Sequence, residues 1–250
     1  MSQFLKKVRV ALTPRFLDLK TTLSNGAVVY GKNRKGYGGR GIFVYGDAIE
    51  PELLYLDRFL EKDAVFVDIG ASTGIYTLKA AMHLNKCGIV LAIEPFPEVF
   101  HSLYSNVKRN NFDNVRLRNL VATDKTTTKT LWMNSNIPNT FSIVNRKENS
   151  KGLSVIGVSV DDLIKWENIK RVDYIKIDAE GAEEEILVGA KETIKKHRPI
   201  LQLETIVKNV NVSLDSYKIF QAPKSPNVIL IPEENSRLKL VQELCWEKLN

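Results

Sequence analysis

The stretch Ala64-Val65-Phe66-Val67-Asp68-Ile69-Gly70-Ala71-Ser72-Thr73-Gly74 decides the fold. Its opening apolar run reads as a buried strand, its glycines as a tight loop, and Ile75, Leu78, Ala81 and Met82 then recur at helical spacing. The same unit returns downstream: Ile89 to Ile93 reads as a strand, and Val99, Phe100, Leu103, Tyr104 and Val107 form the apolar stripe of the next helix. Further strands are predicted at Val115 to Val121, Val172 to Ile177 and Ile200 to Leu203. Between the last two, Ala182, Ile186, Leu187, Ala190 and Ile194 predict one helix. Three glutamates (183–185) open it and Lys195, Lys196, His197 and Arg198 close it, which suits the helix dipole, and Pro199 stops it. Alternation of this kind implies an α/β fold: a Rossmann-like, doubly wound, mostly parallel sheet with helices on both faces. Tyr217 to Phe220 and Val228 to Ile231, separated by a turn-rich segment, read as a closing antiparallel hairpin.

Outward from this body, Pro51 opens a helix through Leu60, and Gly36 to Gly41 read as turns between short strands. The chain of 250 residues, 44% of them hydrophobic, suffices for one sizeable core. We divide it into a basic extension, residues 1–50, with a helix and short strands, and a catalytic domain, residues 51–250. Residues 1–40 hold nine of the 36 Lys and Arg but only one acid, Asp18, so residues 41–250 carry 27 basic and 28 acidic side chains. The basicity therefore belongs to the extension, and nucleic acid is not an expected partner of the body. In the extension, Lys6, Lys7, Arg9, Arg15 and Lys20 interleave with Phe4, Leu5, Val8, Val10, Leu12, Phe16, Leu17 and Leu19. Two readings stand: a solvated helix packed on the domain, the usual fate of a charge run, or a basic amphipathic helix making a peripheral contact with an anionic membrane through residues 1–40. No apolar run has the length of a membrane span and the start has no apolar signal core, so a cytoplasmic location is expected. Cys87 and Cys245 have neither disulfide nor metal-ligand spacing.

In parallel sheets of this type, ligands sit at the carboxyl ends of the strands. The first strand ends in Asp68 and the loop Gly70, Ala71, Ser72, Thr73 and Gly74; the second ends at Glu94-Pro95. An acid at the latter position takes both hydroxyls of an adenosine ribose, which suits a dinucleotide and S-adenosylmethionine equally. The loop decides between them. It lacks a third glycine for a pyrophosphate, and the Asp68 carboxylate repels phosphate but suits a cofactor with an ammonium and a sulfonium. Asp124, beyond the third strand, is placed either to bind the adenine amino group or to serve as a plain turn residue. The fourth strand leads into Lys176-Ile177-Asp178-Ala179-Glu180-Gly181-Ala182-Glu183. A lysine inside a covered sheet needs a carboxylate, for which Asp68, Asp178 and Glu204 are candidates. Asp178 reads as functional from its place at the strand end; Glu183 serves either function or the helix start.

These segments resemble the FkbM family of methyltransferases. The resemblance runs over about residues 50–232 and is carried by Val-Asp-Ile-Gly-Ala (67–71), Glu-Pro-Phe-Pro-Glu-Val-Phe (94–100), Ser-Val-Asp-Asp-Leu (159–163) and Lys-Ile-Asp-Ala-Glu-Gly-Ala-Glu (176–183), with Arg198-Pro199 and Glu204 following. It implies a class I methyltransferase fold, S-adenosylmethionine as donor, and a hydroxyl of a sugar, glycan or secondary metabolite as acceptor. The chain departs from the family pattern at Ser72, where Asn is usual, over Lys125 to Lys129, and most of all over Trp132 to Lys151.

The chemistry expected is in-line displacement at a sulfonium, assisted by a carboxylate base from Asp178, Glu180 or Glu183, with Lys176 orienting it. The three histidines, His83, His101 and His197, fall on helices away from the strand ends. No metal is expected. Two rivals remain: a metal-assisted small-molecule O-methyltransferase, and a non-catalytic module that binds cofactor or glycan.

Overall fold

The structure, a computed structural model, describes residues 2–135, 137, 141–204, 214 and 216–249. From the N-terminal side come α1 (Gln3–Leu12), a hairpin of β1 (Asp18–Thr22) and β2 (Val28–Lys32), α2 (Gly39–Tyr45), a 3-10 turn (Gly46–Ile49) and α3 (Pro51–Phe59). Asn106 and Asn110 fasten the hairpin to the body. Their side-chain oxygens accept the N–H groups of Tyr30 and Val28, and their amides donate to the same residues' carbonyls.

The central run is β3 (Val65–Ile69), α4 (Ile75–Leu84), β4 (Ile89–Ile93), α5 (Pro97–Arg109) and β5 (Val115–Arg118). A small sheet follows, β6 (Val121–Thr123), β7 (Thr127–Met133) and β8 (Lys151–Ser159), and then α6 (Val160–Trp166), β9 (Tyr174–Ile177), α7 (Glu183–Gly189), α8 (Lys191–His197) and β10 (Ile200–Leu203). The chain closes with β11 (Tyr217–Gln221), β12 (Val228–Pro232), α9 (Leu238–Glu243) and β13 (Glu247–Leu249). The main sheet has the order β13-β11-β12-β10-β9-β3-β4-β5, with β10, β9, β3, β4 and β5 parallel and the other three joined antiparallel.

Every residue of β3 is buried, as a parallel strand covered on both faces requires. Period-two alternation sends Phe66 toward Leu53, Leu56, Leu78 and Leu103 on one face and Val65, Val67 and Ile69 toward Leu163, Ile186 and Leu187 on the other. Each such side chain stabilises the fold by about 1.5–3 kcal/mol relative to exposure. From β3 the chain moves outward to β4 and β5 and returns on the opposite side as β9. The carboxyl ends of β3 and β9, with Ile69 opposite Ile177, therefore flank the point where the winding reverses. The doubly wound parallel sheet and the closing hairpin are as the sequence predicts.

Four expectations need correction. The predicted strand 115–121 is two strands. Asn119 turns its amide to the carbonyls of Glu94 and Pro95, and β6 leaves for the small sheet, which the sequence did not disclose. The predicted helix 182–198 breaks at Ala190, because Gly189 packs so closely on the Thr123 carbonyl that a Cβ would stand 2.0 Å from it. The second piece has its own cap: Asp161 accepts the N–H groups of Glu192 and Thr193 at 3.0 and 2.7 Å. Finally, the glycines 36–41 lead into a helix, α2, and not into another strand, and the fourth strand begins at Tyr174. No helix among the described residues is long and apolar enough to cross a membrane.

Candidate active site

At the end of β3 the backbone turns sharply. Gly70 has φ +75°, and a Cβ there would stand 1.8 Å from the Asp178 carbonyl oxygen, so the approach of β3 to β9 admits only glycine. The N–H groups of Gly70 and Ala71 both donate to the Ile93 carbonyl, at 3.0 and 2.9 Å, which ties this loop to the end of β4. Glu94, 8% exposed, continues the tie: one carboxylate oxygen accepts the Ser72 N–H and the other the Phe96 N–H, both at 2.9 Å. Burial pushes the Glu94 carboxyl up to about 7 against these two bonds.

Asp68 is fully buried. One oxygen accepts the Thr77 hydroxyl at 2.6 Å; the other, Oδ1, has no hydrogen-bond partner and lies 3.8 Å from Lys176 Nζ. Burial raises its carboxyl, and the Lys176 ammonium works against that rise. Lys176 donates to Asp178 Oδ2 at 3.2 Å and sits over the Tyr76 ring, 5.0 Å from its centre. Burial alone lowers its pKa, but the carboxylates of Asp178 and Asp68 outweigh this and hold the ammonium above its ordinary value. Tyr76 is itself braced, donating to Glu50 at 2.5 Å and accepting from Gln202 at 2.8 Å.

After β9, Glu180 (φ +51°) and Gly181 (φ +95°) bend the chain back on itself. Glu183, 3% exposed, closes this bend by accepting the N–H groups of Ala179 at 3.0 Å and Gly181 at 3.4 Å. The Glu180 carbonyl takes the Ser142 hydroxyl at 3.0 Å, whereas no side chain among the described residues donates to its carboxyl group. Burial first, then the charges of Glu204, Asp178 and Glu183, push that carboxyl up to about 7. Glu204 is raised by burial in the same neighbourhood.

These ends enclose a cleft of about 300 Å³. Of the residues singled out in the sequence, Gly70, Ser72, Glu94, Pro95, Asp178 and Glu180 line it. Asp68 and Lys176 are buried and join it through Asp178, while Ala71, Thr73, Gly74 and Glu183 shape the backbone around it. Asp124 does not line it. Its carboxylate accepts from Thr123 and lies 3.9 Å from Lys129, because the chain has already turned into the small sheet; Val121 and Ala122 stand at the cleft instead. Of the three partners suggested for Lys176, Asp68 and Asp178 pair with it, at 3.8 and 3.2 Å, while Glu204 lines the cleft. Sequence reasoning missed Tyr76, Phe96 and Phe141. Phe96 lies inside a quoted motif, but Phe141 comes from a polar segment without periodicity, and its ring meets Phe96 edge to face at 4.7 Å.

The residues present fit S-adenosylmethionine. Glu94 offers a carboxylate for ribose hydroxyls, Asp68 Oδ1 is an orphaned buried acceptor beside the loop, and the wall of Phe96, Phe141, Ile93 and Ala122 is apolar enough for a purine. Four carboxylates, Glu94, Asp178, Glu180 and Glu204, line the cleft, with no Lys or Arg among the described lining residues.

Residues 68–219 match the family model described as the methyltransferase FkbM domain. A curated relative, Methyltransferase 1 of Beauveria bassiana (strain ARSEF 2860), is 24% identical over an alignment of 169 positions that covers 56% of this chain and 68% of the relative. Among solved structures, a methyltransferase FkbM from Methylobacillus flagellatus KT aligns with a TM-score of 0.48 and 16% identity over 91% of this chain. This chain covers 58% of the length of that protein. An O-methyltransferase from Bacillus cereus in complex with SAH aligns with a TM-score of 0.35 and 20% identity, covering 60% of this chain and 51% of that one.

Proposed function

Since the chain belongs to the family of FkbM methyltransferases, we propose that it transfers a methyl group from S-adenosylmethionine to a hydroxyl of a sugar, glycan or secondary metabolite, with Glu180 as general base. When bound, S-adenosylmethionine supplies a methyl group on a sulfonium whose departure leaves a neutral thioether. Glu94 would hold the ribose, the loop Gly70 to Ser72 would pass close to the cofactor, and the buried Asp68 would act on its cationic end through its charge.

The state of Glu180 carries the assignment of the base. Of the three carboxylates expected to serve, Asp178 is held by Lys176, and Glu183 is consumed by backbone N–H groups. Glu180 alone lines the cleft with a carboxyl free of donors and poised at about 7. A base near the working pH takes a proton efficiently, which contributes about a hundredfold to ten-thousandfold. As the acceptor oxygen takes up the methyl group that the sulfonium would supply, its proton would pass to the Glu180 carboxylate. Lys176 fixes Asp178, which is thereby placed to orient the acceptor. A cleft lined by carboxylates suits neutral polyhydroxyl acceptors and repels phosphates.

The test is turnover of Glu180→Gln, Glu183→Gln and Asp178→Asn against a panel of sugar hydroxyls and, separately, amines. Glu180→Gln should lower kcat by at least about a hundredfold with cofactor affinity unchanged. In the parent protein kcat should rise with pH through about 7, the value to which Glu180 is pushed, because the base form is the carboxylate. Full turnover by Glu180→Gln overturns the base; methylation of amines and not hydroxyls overturns the acceptor class.

A further inference from the structure

Surface helices normally turn apolar side chains to the protein and charges to water. α1 buries none of its residues. Only Lys6 and Val10 are half-buried, and polar bonds hold the helix in place: Lys6 Nζ donates to the Val44 carbonyl at 3.3 Å, and the Asn33 amide, 1% exposed, donates to the backbone carbonyls of Val10 at 2.9 Å and Thr13 at 2.6 Å. Arg40 locks Asn33 in turn, donating to its side-chain oxygen at 2.9 Å. The outward side carries Phe4 (73% exposed), Leu5, Val8 and Leu12 (79%), which share one helical face, and the chain beyond adds Phe16 (83%) and Leu17. Lys7 and Arg9 border that face, their cations lying over the rings of Tyr45 at 5.9 Å and Phe43 at 5.6 Å.

We propose that α1 and the turn after it dock on an anionic lipid bilayer, with the helix lying in the interface plane and Phe4, Leu12 and Phe16 inserted. Charge selects this occupant. Residues 1–40 carry nine basic side chains and one acid, so a second copy would set two positive arms against each other, while anionic headgroups meet the cations as the acyl boundary takes the apolar face. The position of the arm gives docking a use. Asn33, which clamps α1, is three residues from Gly36, which lines the cleft, and three residues of chain span at most about 11 Å. A docked molecule therefore holds the cleft near the membrane surface.

The experiment is co-sedimentation of the full chain with vesicles of phosphatidylcholine, alone or mixed with phosphatidylglycerol, at low and high salt. We expect binding to the mixed vesicles that weakens with salt and is at least about tenfold tighter than to phosphatidylcholine. Phe4→Ser with Leu12→Ser and Phe16→Ser should weaken it at least about tenfold, and Lys7→Glu with Arg9→Glu by about fivefold per charge. All five side chains are exposed, so unchanged S-adenosylmethionine binding reports that the fold is intact. Equal affinity for both vesicles, no binding, or unaltered binding of the serine variant overturns the proposal. So does a dimer that the serine variant converts to monomer, which assigns the face to a second copy.

Discussion

Glu94 sits where burial opposes its charge and where the proposed ribose contact calls for it. Its carboxyl is pushed up to about 7, so in the unliganded protein it is largely neutral below that pH, and ribose hydroxyls donate better to the ionised form. The folded-state pKa is raised, so protonation favours the unliganded fold, and that contribution is lost as pH rises from the ordinary carboxyl range through about 7. Cofactor affinity should run the other way, rising through the same window. Titration of S-adenosylmethionine across it should show this rise for the parent protein and a flat, weaker response for Glu94→Gln; an equal rise in both would place the titrating group elsewhere. Asp68 and Glu94 were legible in the sequence because each ends a strand whose apolar run is unmistakable. The separate placements of Glu180 and Glu183 were not. They depend on two consecutive residues at positive φ, 51° and 95°, which turn one carboxylate into the bend and leave the other in the cleft.

Among the elements, the sequence patterns found the strands of the main sheet except β13, and the helices except α2, α6 and α9, but not where they stop. The apolar pattern passes unbroken through Ala190, and although Asn119 interrupts the alternation of 115–121, what each break does depends on contacts distant in sequence, with the Glu94 and Pro95 carbonyls and with Thr123. β7 and β8 carried no such pattern, being only partly buried apart from a few residues. Because α8 starts afresh after Ala190, its first turn depends on Asp161. Asp161→Ala should lower stability by about 1 kcal/mol in chemical denaturation, as loss of a capping carboxylate does. No change would mean that α7 and α8 behave as one helix in solution.

At the scale of the molecule, the winding of the sheet places two strand ends side by side, and every part of the proposed site hangs on that juncture: Gly70 against Asp178, Lys176 between Asp68 and Asp178, and Glu94 tied to the loop by Ser72. The parallel sheet was readable because strands alternate with helices from β3 to β5 and from α6 to β10. The orientation of α1 was not, since an amphipathic pattern tells that a helix has two faces and leaves open which of them meets the protein. On the proposed function, this juncture holds S-adenosylmethionine. Isothermal titration of the purified chain with S-adenosylmethionine, with NAD in parallel, tests it most directly. Micromolar binding of S-adenosylmethionine alone, lost in Glu94→Ala, is the predicted result; binding of NAD, or S-adenosylmethionine binding indifferent to Glu94, would contradict it.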